Sequence, residues 1–303
     1  MVRKLYRSLL GFLLLASLAV AGAARAPESP AHPPKILVVV AHPDDDSCFY
    51  GLIYRTSKEL GGTVDEVVIT NGEGGYKYST LGGVFYHLDL TNEEVGRREL
   101  PAIRKRELLN AGRILGVRNY HFLDQQDLRY TLDPREPLDQ LWDVAWIKTF
   151  LTRLQTREHY QLILCLLPTA ETHGHHKAAT LIALDWAKGL APADRPCILG
   201  GSLSGRSDNP TRFTQLDGYP ETQVNRDPQW HFDRNQPFGF KNALSYQMIC
   251  NWAIAEHKSQ GTFSMFFSRF DTEDLWWFKA NDPARMPMVD GFFKALVRTP
   301  ALP

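Results

Sequence analysis

Residues 35–41, Lys-Ile-Leu-Val-Val-Val-Ala, make an uninterrupted apolar run dominated by β-branched side chains, and this run limits the fold more tightly than anything else in the chain. A strand with one wet face alternates apolar and polar residues, whereas a strand without alternation is covered on both faces. Such strands belong to parallel sheets layered between helices. The run at 161–167 repeats the pattern, 64–70 is a second β-branched run, and 120–123 reads as a further short strand. Helical patterns separate them at 47–60, 91–116, 137–155 and 176–188, with Pro101 predicting a break or kink inside the second. The expected fold class is therefore α/β, a mainly parallel, Rossmann-like sheet with helices on both faces. Residues 200–240, rich in Gly, Asn, Asp, Pro and Arg, read as an irregular insertion over the sheet, 242–260 as helical, and 263–278 as heavily aromatic.

The first residues read as an export signal. Arg3, Lys4 and Arg7 precede an apolar stretch from Leu9 to Val20, and small residues Ala21 to Ala24 follow. This predicts a signal peptide over 1–24, a proline-rich linker over 25–34 and one folded domain over 35–303. The apolar stretch is shorter than the ~20 residues that span a bilayer comfortably. Cleavage and export to the periplasm or the exterior are expected, with no stable transmembrane span afterwards; an uncleaved anchor is the alternative. Lys plus Arg equals Asp plus Glu at 34 each, so no basic field points to nucleic acid. Export would place Cys48, Cys165, Cys197 and Cys250 in an oxidising compartment. Cys165 lies inside an apolar run and reads as core, Cys197 and Cys250 could pair, and Cys48 is a weak candidate nucleophile.

Chemistry concentrates where the strands end. Directly after the first run stands Ala41-His42-Pro43-Asp44-Asp45-Asp46. In open parallel sheets ligands bind at the carboxyl ends of strands. A histidine and three acids crowded there are costly unless a cation offsets them, and zinc accepts imidazole and carboxylate together. The same acids could instead cap the helix that follows. A second cluster, His173-Gly174-His175-His176, follows the run at 161–167 in the equivalent position. Two ligands from the first cluster and one from the second would leave an open coordination position, the arrangement of a catalytic zinc site. His32 repeats the local Ala-His-Pro pattern without acids after it, and is not expected to bind metal.

At this point the chain resembles a known family. Residues 41–46, AHPDDD, resemble the AHPDD-[DE] signature of the LmbE-like, or PIG-L, deacetylases, a family that includes N-acetylglucosaminyl-phosphatidylinositol de-N-acetylases and the deacetylases of bacillithiol and mycothiol biosynthesis. Thr70-Asn71-Gly72-Glu73-Gly74-Gly75 is similar to the family's turn after the second strand. Arg104, Glu107, Ala111 and Leu115-Gly116-Val117 follow its R-x-x-E-x₃-A-x₃-LGV helix. Phe122-Leu123 with Asp127 resembles FLG-x-x-D, and His173-x-x-His176 falls at H-x-D-H. Ala253 and His257-x-Ser259-Gln260 resemble a weaker pattern.

The resemblance implies zinc as cofactor, with His42, Asp45 and His176 as its ligands. It implies Asp44 as general base toward the attacking water and His173 as the group that stabilises the oxyanion or protonates the departing amine. Arg104 and Asp127 would contact substrate or order the pocket. Two departures stand out: His175 replaces the aspartate of H-x-D-H and is a competing ligand position, and Asp46 stands where glutamate is common.

The function these readings predict is zinc-dependent hydrolysis of an N-acetyl amide on an N-acetylglucosamine-containing glycan, glycolipid or glycoside. Tyr76-Lys77-Tyr78, Trp276, Trp277 and the 200–240 segment are candidates for a sugar-binding rim. The alternatives are a non-catalytic carbohydrate- or metal-binding protein on the same scaffold, and an amidase or esterase for a non-sugar substrate. No P-loop, GxGxxG after a strand or GxSxG is present.

Overall fold

A computed structural model describes residues 33–205, 211–261 and 267–297. The segment expected to be a signal peptide, nearly all of the expected linker and His32 lie outside them. Five parallel strands form the body of a seven-stranded sheet: β1 (Ile36–Val40), β2 (Val64–Thr70), β3 (Asn119–Gln125), β4 (Leu162–Leu166) and β5 (Cys197–Ser204). Two more strands, β6 (Trp230–Asp233) and β9 (Thr272–Trp277), extend one edge, giving the order β3-β2-β1-β4-β5-β9-β6. Strand β9 runs antiparallel to both β5 and β6. A small separate ribbon pairs β7 (Pro237–Phe238) with β8 (Leu244–Ser245).

The unbroken apolar run behaves as its composition demands. Ile36, Val38 and Val40 point into one core and Leu37, Val39 and Ala41 into the other, all essentially without solvent contact. The first core is closed by α1 (Tyr50–Tyr54), α3 (Glu93–Leu115), α6 (Tyr246–Ile254) and α7 (Met286–Leu296). The second is closed by α4 (Val144–Glu158) and α5 (Gly174–Lys188). Among the described residues no helix is long and apolar enough to cross a membrane.

Of the break or kink expected at Pro101, the break does not occur, and helix α3 continues through it. Asn92 caps it, accepting from Val95 N–H at 3.2 Å, and Gly116 closes it in the left-handed region at φ 88°. The predicted helix at 137–155 is divided: a π-turn over Pro137–Leu141 stops at Trp142, and Asp143 then caps α4 by accepting from Trp146 N–H at 2.9 Å. The segment at 200–240 is less irregular than its composition suggests, because it contains the end of β5 and the edge strand β6.

Helix α1 has no side-chain cap of its own. Glu273 on β9 substitutes for one, accepting from Gly51 N–H at 2.7 Å and Leu52 N–H at 3.0 Å. Arg234 pairs with that carboxylate at 2.8 Å and donates to Ser47 O at 2.6 Å. Both side chains are fully buried. The antiparallel edge of the sheet thus holds the segment that leaves β1.

Candidate active site

The strand order reverses between β1 and β4, since β2 lies beyond β1 and β5 beyond β4. Chains leaving the two central strands diverge, and a crevice opens at their carboxyl ends. Both sequence clusters fall into it, together with a cavity of about 880 Å³. His42, Asp44, Asp45, Arg104, Asp127, His173 and His176 all line that cavity. All seven residues singled out from sequence therefore meet in one place.

After β1 the backbone turns back on itself. The Asp45 carboxylate accepts from the N–H groups of Ala41 at 3.1 Å and His42 at 2.8 Å, which locks the turn. Helix α5 starts at Gly174, two residues earlier than its apolar pattern indicates, so His175 and His176 belong to its first turn and His173 caps it. His173 Nδ1 accepts from His175 N–H at 3.0 Å. Its neutral ring therefore carries the proton on Nε2, as a donor. Burial and then the neighbouring imidazoles hold the His173 pKa down to about 2, so the ring is neutral.

Three side chains make a compact donor triangle. His42 Nδ1 lies 3.1 Å from His176 Nε2, His176 Nε2 lies 3.1 Å from Asp45 Oδ1, and His42 Nδ1 lies 3.4 Å from Asp45 Oδ2. Tetrahedral zinc with bonds of about 2.0–2.1 Å places its ligand atoms roughly 3.3 Å apart, so this donor set fits the ion. Thr172 Oγ1 sits 3.0 Å from His176 Nδ1 and orients that ring with Nε2 inward. Burial opposes charge here, yet Asp45 and Asp127 outweigh it and raise the His42 pKa to about 10. His176 and His42 in turn hold Asp45 well below the usual carboxylate range against the effect of burial. The site calls for positive charge, which a divalent cation supplies.

His42, His173 and His175 form a second possible donor group, sharing His42 with the first. His175 is fully buried and does not reach the cavity wall. His42, Asp45 and His176 all line the cavity, so the triangle has room for a further ligand.

Around the triangle, Arg104 is buried rather than a surface residue of α3. It donates to Asp44 Oδ1 and to Gly72 O, each at 2.8 Å. Gly72 occupies the left-handed region at φ 73°, and a Cβ there would come within 2.8 Å of the Arg104 guanidinium. The glycine turn after β2 is therefore what admits Arg104 to the site.

Other expectations change. Trp276 and Trp277 are core residues of β9, Tyr76 packs beneath the surface against Leu90, Leu100 and Ile103, and of the proposed aromatic rim only Tyr78 reaches the cavity. Cys197 and Cys250 are free thiols, and burial pushes the Cys48 thiol well up, away from nucleophilic use. Sequence reasoning missed Tyr130, whose ring meets His173 edge-on at 4.8 Å, and the apolar wall of Leu166, Leu203, Phe267 and Phe270. Thr172 was findable as the hydroxyl one turn before His176; the wall carries no local signal.

Similarity to known proteins agrees with this geometry. The PIG-L family, GlcNAc-PI de-N-acetylase, matches residues 37–187. Comparison with curated proteins finds no match. Among solved structures, the N,N'-diacetylchitobiose deacetylase of Pyrococcus horikoshii aligns at 18% identity and TM-score 0.50, covering 80% of this chain and 83% of its own. The 4-carboxy-2-hydroxymuconate hydratase GalB of Pseudomonas putida aligns at 15% and 0.54, covering 80% and 95%. A deacetylase of the A40926 pseudoaglycone aligns at 14% and 0.51, covering 82% and 99%. Identities this low establish the fold alone. The family match runs from β1 through α5 and takes in both histidine and aspartate clusters, and by it the chain belongs to the PIG-L, or LmbE-like, family.

Proposed function

We propose that this chain is an exported zinc-dependent N-deacetylase, one domain over residues 35–303, acting on an N-acetylglucosamine-containing glycan, glycolipid or glycoside. Family membership supports amide hydrolysis on sugar-like substrates. The fold by itself does not choose the reaction, since one similar structure is a hydratase. The observation that carries the reading is the open triangle of His42, Asp45 and His176 with Asp44 beside it on one cavity wall.

His42 Nδ1, the Asp45 carboxylate and His176 Nε2 would hold the ion. The chemistry such an ion supplies is Lewis acidity, which polarises an acyl oxygen and brings the pKa of water toward about 7. Asp44 is the general base: Arg104 fixes its Oδ1, and its partly exposed carboxylate takes the proton of the attacking water. His173 offers Nε2–H to the oxygen that gains charge as the carbonyl carbon becomes tetrahedral. Its neutral state suits donation to an oxyanion better than delivery of a stored proton. The proton taken by Asp44 then passes to the departing amine, so acetate and a free amine leave and the site returns to its starting state.

A binding protein on this scaffold would need neither Asp44 nor the His173 donor, and both are in place. The test is release of amine and acetate from N-acetylglucosamine glycosides beside simple acyl amides, with and without a chelator. Chelator-sensitive turnover of the sugars supports the reading. Turnover confined to simple amides makes the protein a general amidase, and no turnover after zinc loading leaves a binding protein.

A further inference from the structure

His42 has two ring edges, and the second is built as carefully as the first. Its Nε2 faces away from the Asp45–His176 side, toward two buried groups. Asp127 Oδ1 stands 3.7 Å from His42 Nε2 and 3.4 Å from His175 Nδ1, and the two ring nitrogens are 3.3 Å apart. Asp127 is itself anchored. Its Oδ2 accepts from Gly74 N–H at 3.1 Å, and Arg97 donates to the backbone carbonyls of Asp127 at 3.2 Å and Leu128 at 2.7 Å. A Cβ at Gly74 would come within 2.7 Å of the Asp127 carboxylate, so the glycine makes room for it.

We propose that Asp127, backed by His175, is a positioning group that fixes the His42 ring with its proton on Nε2 and its lone pair on Nδ1, facing Asp45 and His176. The inference rests on the metal site proposed above. Within this group of three, the carboxylate can only accept. A metal held at His42 Nδ1 requires the His42 proton on Nε2, and that N–H then faces His175 Nδ1 at 3.3 Å with the Asp127 carboxylate behind it at 3.7 Å. The reverse arrangement, His175 Nδ1–H donating to His42 Nε2, would put the His42 proton on Nδ1 and close the triangle, and the acceptor Asp127 beside both rings favours the first. Asp127 lines the cavity, but its two oxygens face Gly74 N–H and the His42 and His175 rings, which favours ordering the pocket over substrate contact among the two roles the family resemblance implies. His175 stands where the family carries an aspartate. Here it is sealed between His42 and the edge of Trp142, with the His175 and Trp142 ring centroids 5.2 Å apart, and its Nε2 has no hydrogen-bond partner among the described residues. An imidazole at this place turns its one partnered edge toward Asp127 and His42, where groups outside a metal's own ligands set ring orientation.

The test is zinc affinity, read by competition with a chromogenic chelator on the full mature chain. The variants are Asp127→Asn, His175→Ala and His175→Asn. Asp127→Asn is expected to weaken zinc binding by about 10–100-fold, the range for such supporting groups, and to leave KM nearly unchanged once zinc is saturating. His175→Ala is expected to weaken zinc less, and His175→Asn, which keeps an N–H donor, to recover part of that loss. Thermal melting in chelator identifies a variant that fails to fold; if Asp127→Asn does, the pair of His175 variants decides. Unchanged zinc affinity with a raised KM would overturn the inference and make Asp127 a substrate contact. Two zinc ions per wild-type chain, one of them lost in His175→Ala, would also overturn it, by making Asp127 and His175 ligands. Wild type that binds no zinc defeats the metal reading itself, a result separable from either.

Discussion

The two halves of the sheet do different work. The parallel half, from β1 to α5, supplies the donor triangle, Asp44, Arg104, Asp127 and His173. The half from β5 onward contributes walls and braces: Leu203, Phe267 and Phe270 face the cavity, and Arg234 with Glu273 holds the start of α1. Asp44, Asp45 and Asp127 in the first half face other groups of the site, whereas Arg234 and Glu273 in the second answer each other away from the cavity. The first set is placed for the site and the second for packing.

That contrast can be broken at several points. Asp44→Asn is expected to lower kcat by about 10²–10⁴-fold, the contribution typical of a positioned general base, with zinc content and melting temperature retained. A comparable loss of stability would move Asp44 into the packing class. Arg234→Met is expected to do the reverse. It leaves Glu273 buried without its counter-ion, at a cost of about 3–5 kcal/mol in chemical denaturation, and adding Glu273→Gln, which removes the charge and keeps an acceptor for Gly51 and Leu52 N–H, should recover part of it. Loss of activity in Arg234→Met without loss of stability would show that this brace belongs to the chemistry.

A third prediction concerns pH. His257 is buried with its Nε2 2.9 Å from Tyr50 Oη, and burial pushes its pKa down to about 4 from an ordinary 6.5. The folded state thus favours the neutral ring. Its contribution is intact above pH 6.5 and is lost as pH falls from there to about 4, on the order of 3 kcal/mol. Denaturation curves across that window should be flatter for His257→Gln than for wild type. Equal slopes would show that His257 takes up its proton alike in the folded and unfolded states.

Legibility in the sequence followed the same division. The unbroken runs at 36–41 and 162–166 announced buried parallel strands, and the clusters after them sit at strand ends by simple adjacency. All seven candidates that line the cavity were therefore readable, Arg104 and Asp127 only through the family resemblance. Strand β5 was not, because Gly200 and Gly201 interrupt its apolar pattern. They are there for close packing, since a Cβ on Gly201 would come within 2.1 Å of the Phe49 ring. The aromatic tail misled for the converse reason: Trp276 and Trp277 look like a binding surface until β9 pairs with β5 and buries them. The second edge of His42 was invisible, since the contact of Asp127 with His175 depends on how β3 and α5 approach in space.

The most direct test is the metal content of the purified mature protein, with His42→Ala and His176→Ala beside it, each assayed for deacetylation. The account predicts about one zinc per wild-type chain, lost from both variants together with activity. Wild type that carries no metal after zinc loading, or variants that keep it, would contradict it.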